Sequence, residues 1–432
     1  MVLRTLKLTP PDLALRRLMA ELKPRRLSTE NMPLHLAFGR VLAEKIIANE
    51  RIPRTNTSAM EGYAIRFKDV KSATFANPTR LRVIGHIGVD EKAKRIHVRQ
   101  GEAVSVATGA TIPPGADTIV RIEHVRRFDG EIAVYRQIKR GKDISYAGSD
   151  IPRGLVFRRG HLLRPQDVEV LTALRLQRVK VFSKPRVAII SVGDELCEVG
   201  DRDFSKQVIT HALNISGLVK GLGAEPKIYG VVRDDVKAIR RFVKRALNET
   251  DIILTIAGSS IGEGDLVSRA VSSFPSAKTI AHGIAMKPGK PTLVAVVNGK
   301  PLIGLPGHVA STNAAFYVFA TKLIEKYSGA SNLTLPVVIA ELDEGLKCGT
   351  PYTFVRFRIQ EKENRLIATP LKGEFILMSD FVRSNAFAIL PPRTEIAKGE
   401  MLRIMLYSIH EFHHIMHHPY QLLPLRAHNE AK

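Results

Sequence analysis

The run RVAIISVGDEL (residues 186–196) decides how the chain is read: an apolar, strand-length segment ends abruptly in Gly193-Asp194-Glu195. The same grammar returns in PKIYGVVRDD (226–235), DIILTIAGSSIGEGD (251–265) and PLIGLPGH (301–308). Strands that are apolar throughout belong to parallel sheets covered on both faces, whereas half-solvated strands alternate. Segments with helical spacing at 207–222, 235–248, 265–273 and 311–327 separate these runs. The alternation predicts a doubly wound parallel sheet over 185–330.

On either side the pattern changes. Downstream, VVIAEL, TFVRFRIQ, RLIATP, AFAILP and LRIMLY are short strand-like runs, so 331–410 is expected to form a small β-barrel or sandwich. Upstream, LRVIGHIGV, EAVSVATGA, DTIVRIEHV and EIAVYRQI are split by Gly and Pro, which predicts a β-rich domain over 52–145. Residues 10–27 read as a helix through Leu13, Leu15, Leu18, Met19 and Leu22. A second helix is expected over 33–47 and a third over 165–174, grouping 1–51 with 146–184 as an N-terminal linking domain. The expected class is therefore a multidomain α/β chain with a His-rich tail at 411–432.

Composition narrows the function classes. The chain has 432 residues, 44% of them hydrophobic and 25% charged, which excludes a mainly disordered chain, a collagen or a coiled coil. No apolar run reaches the ~18 residues that cross a bilayer, and the start lacks an apolar signal core, so a soluble cytoplasmic protein is expected. Two cysteines, Cys197 and Cys348, are too few for a disulfide framework or a cysteine metal site. The 65 Lys and Arg against 42 Asp and Glu leave a net charge of +23, which draws anions of any kind. Specific nucleic-acid binding is not expected, because Trp is absent, aromatics are 6% and no recognition motif stands out.

Open α/β sheets bind ligands beyond the carboxyl ends of their strands. The residues there are Glu195, Asp234, Asp265 and the small-residue loop Ala257–Gly264, with Gly258, Ser260 and Gly262 able to let backbone N–H groups approach an anion. Converging carboxylates beside phosphates suit Mg²⁺. Read alone, Asp234 and Asp265 serve equally well as helix caps, and the loop as a turn. Lys287-Pro288-Gly289-Lys290-Pro291 adds two cations suited to a pyrophosphate or oxyanion, or else a solvated turn. The tail places His410, His413, His414 and His417 at helical spacing, able to hold Zn²⁺ or Ni²⁺. It reads first as a solvated tail, since no acidic group is placed to orient the rings.

In order along the chain, SAMEGYA (58–64), TGATIPPGAD (108–117), ISVGDEL (190–196), TIAGSSIGEGD (255–265), MKPGKP (286–291) and GLPGHVAS (304–311) resemble the six motifs of the MoeA family. These are the molybdopterin molybdenumtransferases, related to the E domain of gephyrin. The resemblance implies four domains, a MogA-like α/β domain among them, and a homodimer with its active-site cleft at the dimer interface. It implies insertion of molybdate, or equally tungstate, into adenylylated molybdopterin with release of AMP and a requirement for Mg²⁺. It also implies a MogA- or MoaB-like adenylyltransferase as a partner upstream. Carried over, Glu61, Thr108, Glu195, Asp234 (or Asp235) and Asp265 become the catalytic set, with Glu195, Asp234 and Asp265 as metal ligands. Ser58, Gly258, Ser260, Gly262, Lys287, Lys290, Pro306 and His308 become the substrate contacts.

This chain departs from the family pattern at three places: Glu61 replaces Asp, Ala257 replaces a glycine, and His308-Val309 replaces Asn-Pro. Ala257 is expected to be tolerated only if its φ is negative. Two other readings compete with an insertase: a diverged paralogue that binds molybdopterin or an oxyanion without turnover, and an adenylyltransferase acting one step earlier. The segments flanking 185–330 argue against the second.

Overall fold

The computed structural model describes residues 8–22, 27–89, 96–258, 265–331, 335–371, 378–408, 411 and 415. His410, His413, His414 and His417 of the tail lie outside them, as do Ser260 and Gly262.

Helix Pro11–Glu21 starts on a proline, whose fixed φ suits the first turn. It buries Ala14 and Leu18 in the same apolar cluster as Val187 and Ile189 of the α/β sheet. The helix expected over 33–47 does not form. Only a 3-10 turn, Leu34–Leu36, is present, and then Gly39 takes a φ of +67°. Val41 and Leu42 bridge to Leu162 and Val181, and Ile46–Ile47 pairs with Val156–Phe157. The apolar residues of that stretch were periodic because they enter a sheet-like cluster with Phe157, Leu163 and Leu171, not because one helical face is buried. Helix Pro165–Ala173 is present as expected, closed by reciprocal hydrogen bonds between Arg164 and Asp167.

Residues 62–134 form a six-stranded sheet in the order Thr118–Arg121, Gly62–Ile65, Glu102–Val106, Thr79–Ile87, Glu131–Val134, Val125–Phe128. All neighbours are antiparallel except Thr79–Ile87 beside Glu102–Val106.

The α/β sheet runs Glu225–Val232, Arg186–Val192, Ile252–Ile256, Lys300–Leu305, Leu293–Val297, Lys278–His282. In Arg186–Val192 the side chains alternate between two clusters, Val187 and Ile189 on one face and Ala188, Ile190 and Val192 on the other. Burial of both faces explains the continuous apolar run. The sheet is not parallel throughout. Leu293–Val297 pairs antiparallel with Lys300–Leu305 and with Lys278–His282. Asn298 and Gly299 take φ values of +50° and +74°, a two-residue turn of the kind that closes hairpins. Strand order reverses between Arg186–Val192 and Ile252–Ile256, which places the switch point of the sheet between Gly193 and Ala257.

Helix Val309–Ala315 continues through a π-helical turn, Phe316–Ala320, into helix Thr321–Ser328. The turn presents Tyr317 to Phe387, Phe354 and Tyr407 at ring distances of 4.4, 6.3 and 5.4 Å. Phe387 and Phe354 belong to the last sheet and Tyr407 follows its final strand; there Val337–Leu342, Tyr352–Lys362, Arg365–Pro370, Ala386–Leu390 and Met401–Leu406 close into a barrel. Met286–Lys287 pairs with Tyr352–Thr353, so the lysine loop is stitched to the barrel by backbone hydrogen bonding. Among the described residues no helix is long and apolar enough to cross a membrane.

Candidate active site

The switch point is built from backbone first. Gly193 donates to the Val232 carbonyl at 3.0 Å, and Asp194 and Asp234 exchange N–H to carboxylate contacts of 3.3 and 3.4 Å across the two strand ends. A Cβ on Gly193 would meet the Glu195 carboxylate at 2.6 Å, so that exposed side chain folds back over the glycine. Asp235, not Asp234, caps the next helix, accepting from the Ala238 N–H at 2.7 Å. Asp234 is left exposed at the rim.

Asp265 is different. It is 2% exposed, and both its oxygens are engaged: one accepts from the Ser268 N–H at 2.7 Å, the other lies 2.6 Å from Nε2 of His282. Burial pushes its carboxyl above the ordinary range, against the hydrogen bonds from Ser268 and His282. His282 was not singled out in the sequence. It lies 17 residues away and reaches Asp265 only because the edge strand Lys278–His282 ends beside the loop.

The expected metal ligands are Glu195, Asp234 and Asp265. Among the described residues no three His, Cys, Asp or Glu side chains lie close enough to hold a metal ion. Glu195, Asp234 and Asp265 therefore do not converge on one point. The physical reason is that Asp265 turns inward to cap a helix and hold an imidazole, while Glu195 and Asp234 face solvent.

The loop after Ile252–Ile256 begins with two left-handed residues, Ala257 at φ +63° and Gly258 at +65°. At Gly258 a Cβ would meet Val192 at 2.7 Å, so only glycine fits. Ala257 adopts the conformation in which its methyl is unfavourable, contrary to the negative φ that would have made it harmless. Its Cβ lies 3.0 Å from where a Cβ on Gly307 would stand, which sets the LPGH loop against the start of this one. The MKPGKP loop packs on helix Val309–Ala315 through Gly289, where a Cβ would come within 3.8 Å of Ala314 and 3.9 Å of the Ser311 carbonyl. Lys287 and Lys290 are exposed on it, and no carboxylate among the described residues pairs with them.

Pro306 and His308 flank Gly307 at the start of helix Val309–Ala315. His308 occupies the N-cap of helix Val309–Ala315, yet its side chain makes no cap hydrogen bond. It faces His211, whose imidazole burial pushes below its ordinary range, against a hydrogen bond with the Gly307 backbone.

The N-terminal motif residues form a second group. Ser58 is buried and donates to the Met60 carbonyl at 2.6 Å, while its own N–H and carbonyl bond to Ala110 and Gly109 at 2.8 Å each. The 58–64 and 108–117 motifs are thus laced together, with both Glu61 and Thr108 exposed. Among the described residues no hydrogen bond or ion pair joins this group to the strand ends at Gly193 and Ala257.

Residues 9–174 match the MoeA N-terminal region (domain I and II), and residues 188–326 match a probable molybdopterin binding domain. A molybdopterin molybdenumtransferase of Staphylococcus epidermidis is 30% identical over 395 residues, 88% of this chain and 92% of its own length. One from Staphylococcus aureus is 32% identical over 326 residues, 75% of this chain and 77% of its own. The crystal structure of the molybdopterin biosynthesis MoeA protein from Pyrococcus horikoshii OT3 has a TM-score of 0.78 at 33% identity, covering 93% of this chain and 100% of that one. Matched along most of its length to relatives of this kind, the chain belongs to the MoeA family, the molybdopterin molybdenumtransferases.

Proposed function

We propose that this chain is an enzyme of molybdenum cofactor biosynthesis that inserts an oxyanion, molybdate or tungstate, into adenylylated molybdopterin and releases AMP. One observation carries the reading: the LPGH loop packs against Ala257 at the end of the central strand, and the MKPGKP loop, packed on the helix that follows LPGH, carries two exposed lysines with no carboxylate partner among the described residues. A site with uncompensated cations and close backbone approach suits a tetrahedral oxyanion and a pyrophosphate together. The substrate's own dithiolene sulfurs are the nucleophiles toward the metal, so the chain has to bind, orient and neutralise rather than attack. Lys287 and Lys290 take the anionic charge, and the loop from Ala257 cradles the phosphates. His282, held by Asp265, is oriented as a hydrogen-bond donor or acceptor beside them. No step is assigned to a resident magnesium ion, since the expected ligands do not share a point.

Glu61 and Thr108 stand on a separate element, and in this reading a second copy of the chain brings them to the strand ends, which makes the functional unit a homodimer. A MogA- or MoaB-like adenylyltransferase supplies the substrate. The family relatives, matched well beyond 188–326, favour the transferase over a non-catalytic binder or an adenylyltransferase. The test is reconstitution of a cofactor-free molybdoenzyme or tungstoenzyme with the reaction product, titrating molybdate and tungstate separately. Active enzyme from either oxyanion supports the proposal and names the metal; none from both contradicts it.

A further inference from the structure

The root of the lysine loop is held by a residue far away along the chain. Thr9, just ahead of helix Pro11–Glu21, forms a parallel bridge with Ile284. Its N–H donates to the Gly283 carbonyl at 3.1 Å, and its carbonyl accepts from the Ala285 N–H at 2.8 Å. Both bonds use the backbone alone, so neither depends on the threonine side chain. The helix that follows anchors Thr9, because Ala14 and Leu18 lie in the same buried cluster as Ile284 and Met286.

The barrel adds a second hold. The Ala285 carbonyl accepts from the Tyr352 N–H at 3.1 Å, and Met286–Lys287 pairs with Tyr352–Thr353. The loop then closes on its own root. Ile284 donates its N–H to the Lys290 carbonyl at 2.8 Å, and Gly283 to the Thr292 carbonyl at 3.0 Å. Inside it, the Thr292 hydroxyl donates to the Gly289 carbonyl at 2.7 Å. The residue whose amide fixes Lys290 is therefore the one that Thr9 brackets. A lysine stem is flexible, so its backbone decides where its reach begins. A shift of ~1 Å in a group that meets a reacting anion can cost on the order of 10²-fold in rate.

We propose that Thr9 is a positioning residue for oxyanion insertion: through its backbone it holds Gly283–Ala285 so that Lys287 and Lys290 meet the anion. The proposal rests on the reading that these two lysines take the anionic charge. It adds a requirement that the lysine loop does not show by itself, namely that the segment before helix Pro11–Glu21 is part of the machinery that aims it.

The test is a mutant cycle read by single-turnover AMP release from adenylylated molybdopterin at varied molybdate or tungstate. Thr9→Pro removes the donor to Gly283, whereas Thr9→Ala keeps it. Thr9→Ala should match the wild type. Thr9→Pro should raise the half-saturating oxyanion concentration by about tenfold. In Lys287→Ala/Lys290→Ala the same change should add less than about twofold, because residues that act through one another are not additive. Urea unfolding checks that the fold is kept, and amide exchange in Thr9→Pro should quicken at 283–290. An equal loss in both backgrounds would mark a merely structural role and overturn the proposal. So would wild-type behaviour of Thr9→Pro, unchanged exchange at 283–290, or a Thr9→Ala protein as impaired as Thr9→Pro. Each of those results leaves the insertase reading standing. A wild type with no oxyanion-dependent release overturns that reading and this proposal with it.

Discussion

Ala257 holds a left-handed backbone at φ +63° where the family motif has glycine. An L-residue there costs about 1–2 kcal/mol, partly offset because glycine loses more backbone entropy on folding, by about 0.5–1 kcal/mol. Ala257→Gly is therefore expected to stabilise the protein by about 0.5–1 kcal/mol in urea unfolding; a loss of stability would show that the strain is absent. Asp167 gives a pH-dependent counterpart. Burial raises its carboxyl, but Arg164 through side chain and backbone, with His161, outweighs burial and holds it far below the usual range. A carboxyl depressed in the fold contributes stability above its unfolded pKa, about 4, and loses it as pH falls toward the folded value. The gap in Tm between wild type and Asp167→Asn should thus be widest near neutrality and narrow below about pH 4. A gap that does not change with pH would refute this. The Asp265–His282 contact shows what residue-level reading misses: Asp265 was legible as a helix cap or ligand, but its partner is defined only by the end of a distant strand.

At the scale of elements, Gly62 shows how a motif residue can be structural. A Cβ there would stand 2.1 Å from the Val120 carbonyl in the adjoining strand. Gly62→Ala must part Gly62–Ile65 from Thr118–Arg121, and overpacking of this kind costs about 1–3 kcal/mol. A drop of that size in unfolding free energy is expected, and an unchanged midpoint would contradict the register. The central strands were legible because burial on both faces leaves no polar position, as in Ile252–Ile256. The hairpin of Leu293–Val297 and Lys300–Leu305 was not read, although Asn298-Gly299 is its signal, because equally apolar strands look alike whether parallel or antiparallel. The false helix over 33–47 has the converse cause: Leu36 and Phe38 are 57% and 50% exposed, so apolar spacing there does not report one buried face.

For the whole molecule, the motif loops of the site were legible because topology brings strand ends together without further instruction. What the sequence did not carry is which carboxylates converge, since that depends on side-chain direction at each end. The net charge of +23 belongs to this scale as well. If it steers an anionic substrate, the association rate should fall several-fold as ionic strength rises from about 0.02 to 0.5 M, where screening lengths shrink from roughly 20 to 4 Å. A rate insensitive to salt would remove steering. The central claim, insertion of an oxyanion coupled to loss of the nucleotide, is tested most directly by single-turnover AMP release from adenylylated molybdopterin. The account predicts release that depends on molybdate or tungstate and slows sharply in Lys287→Ala/Lys290→Ala. Tight substrate binding with no oxyanion-dependent release would contradict it.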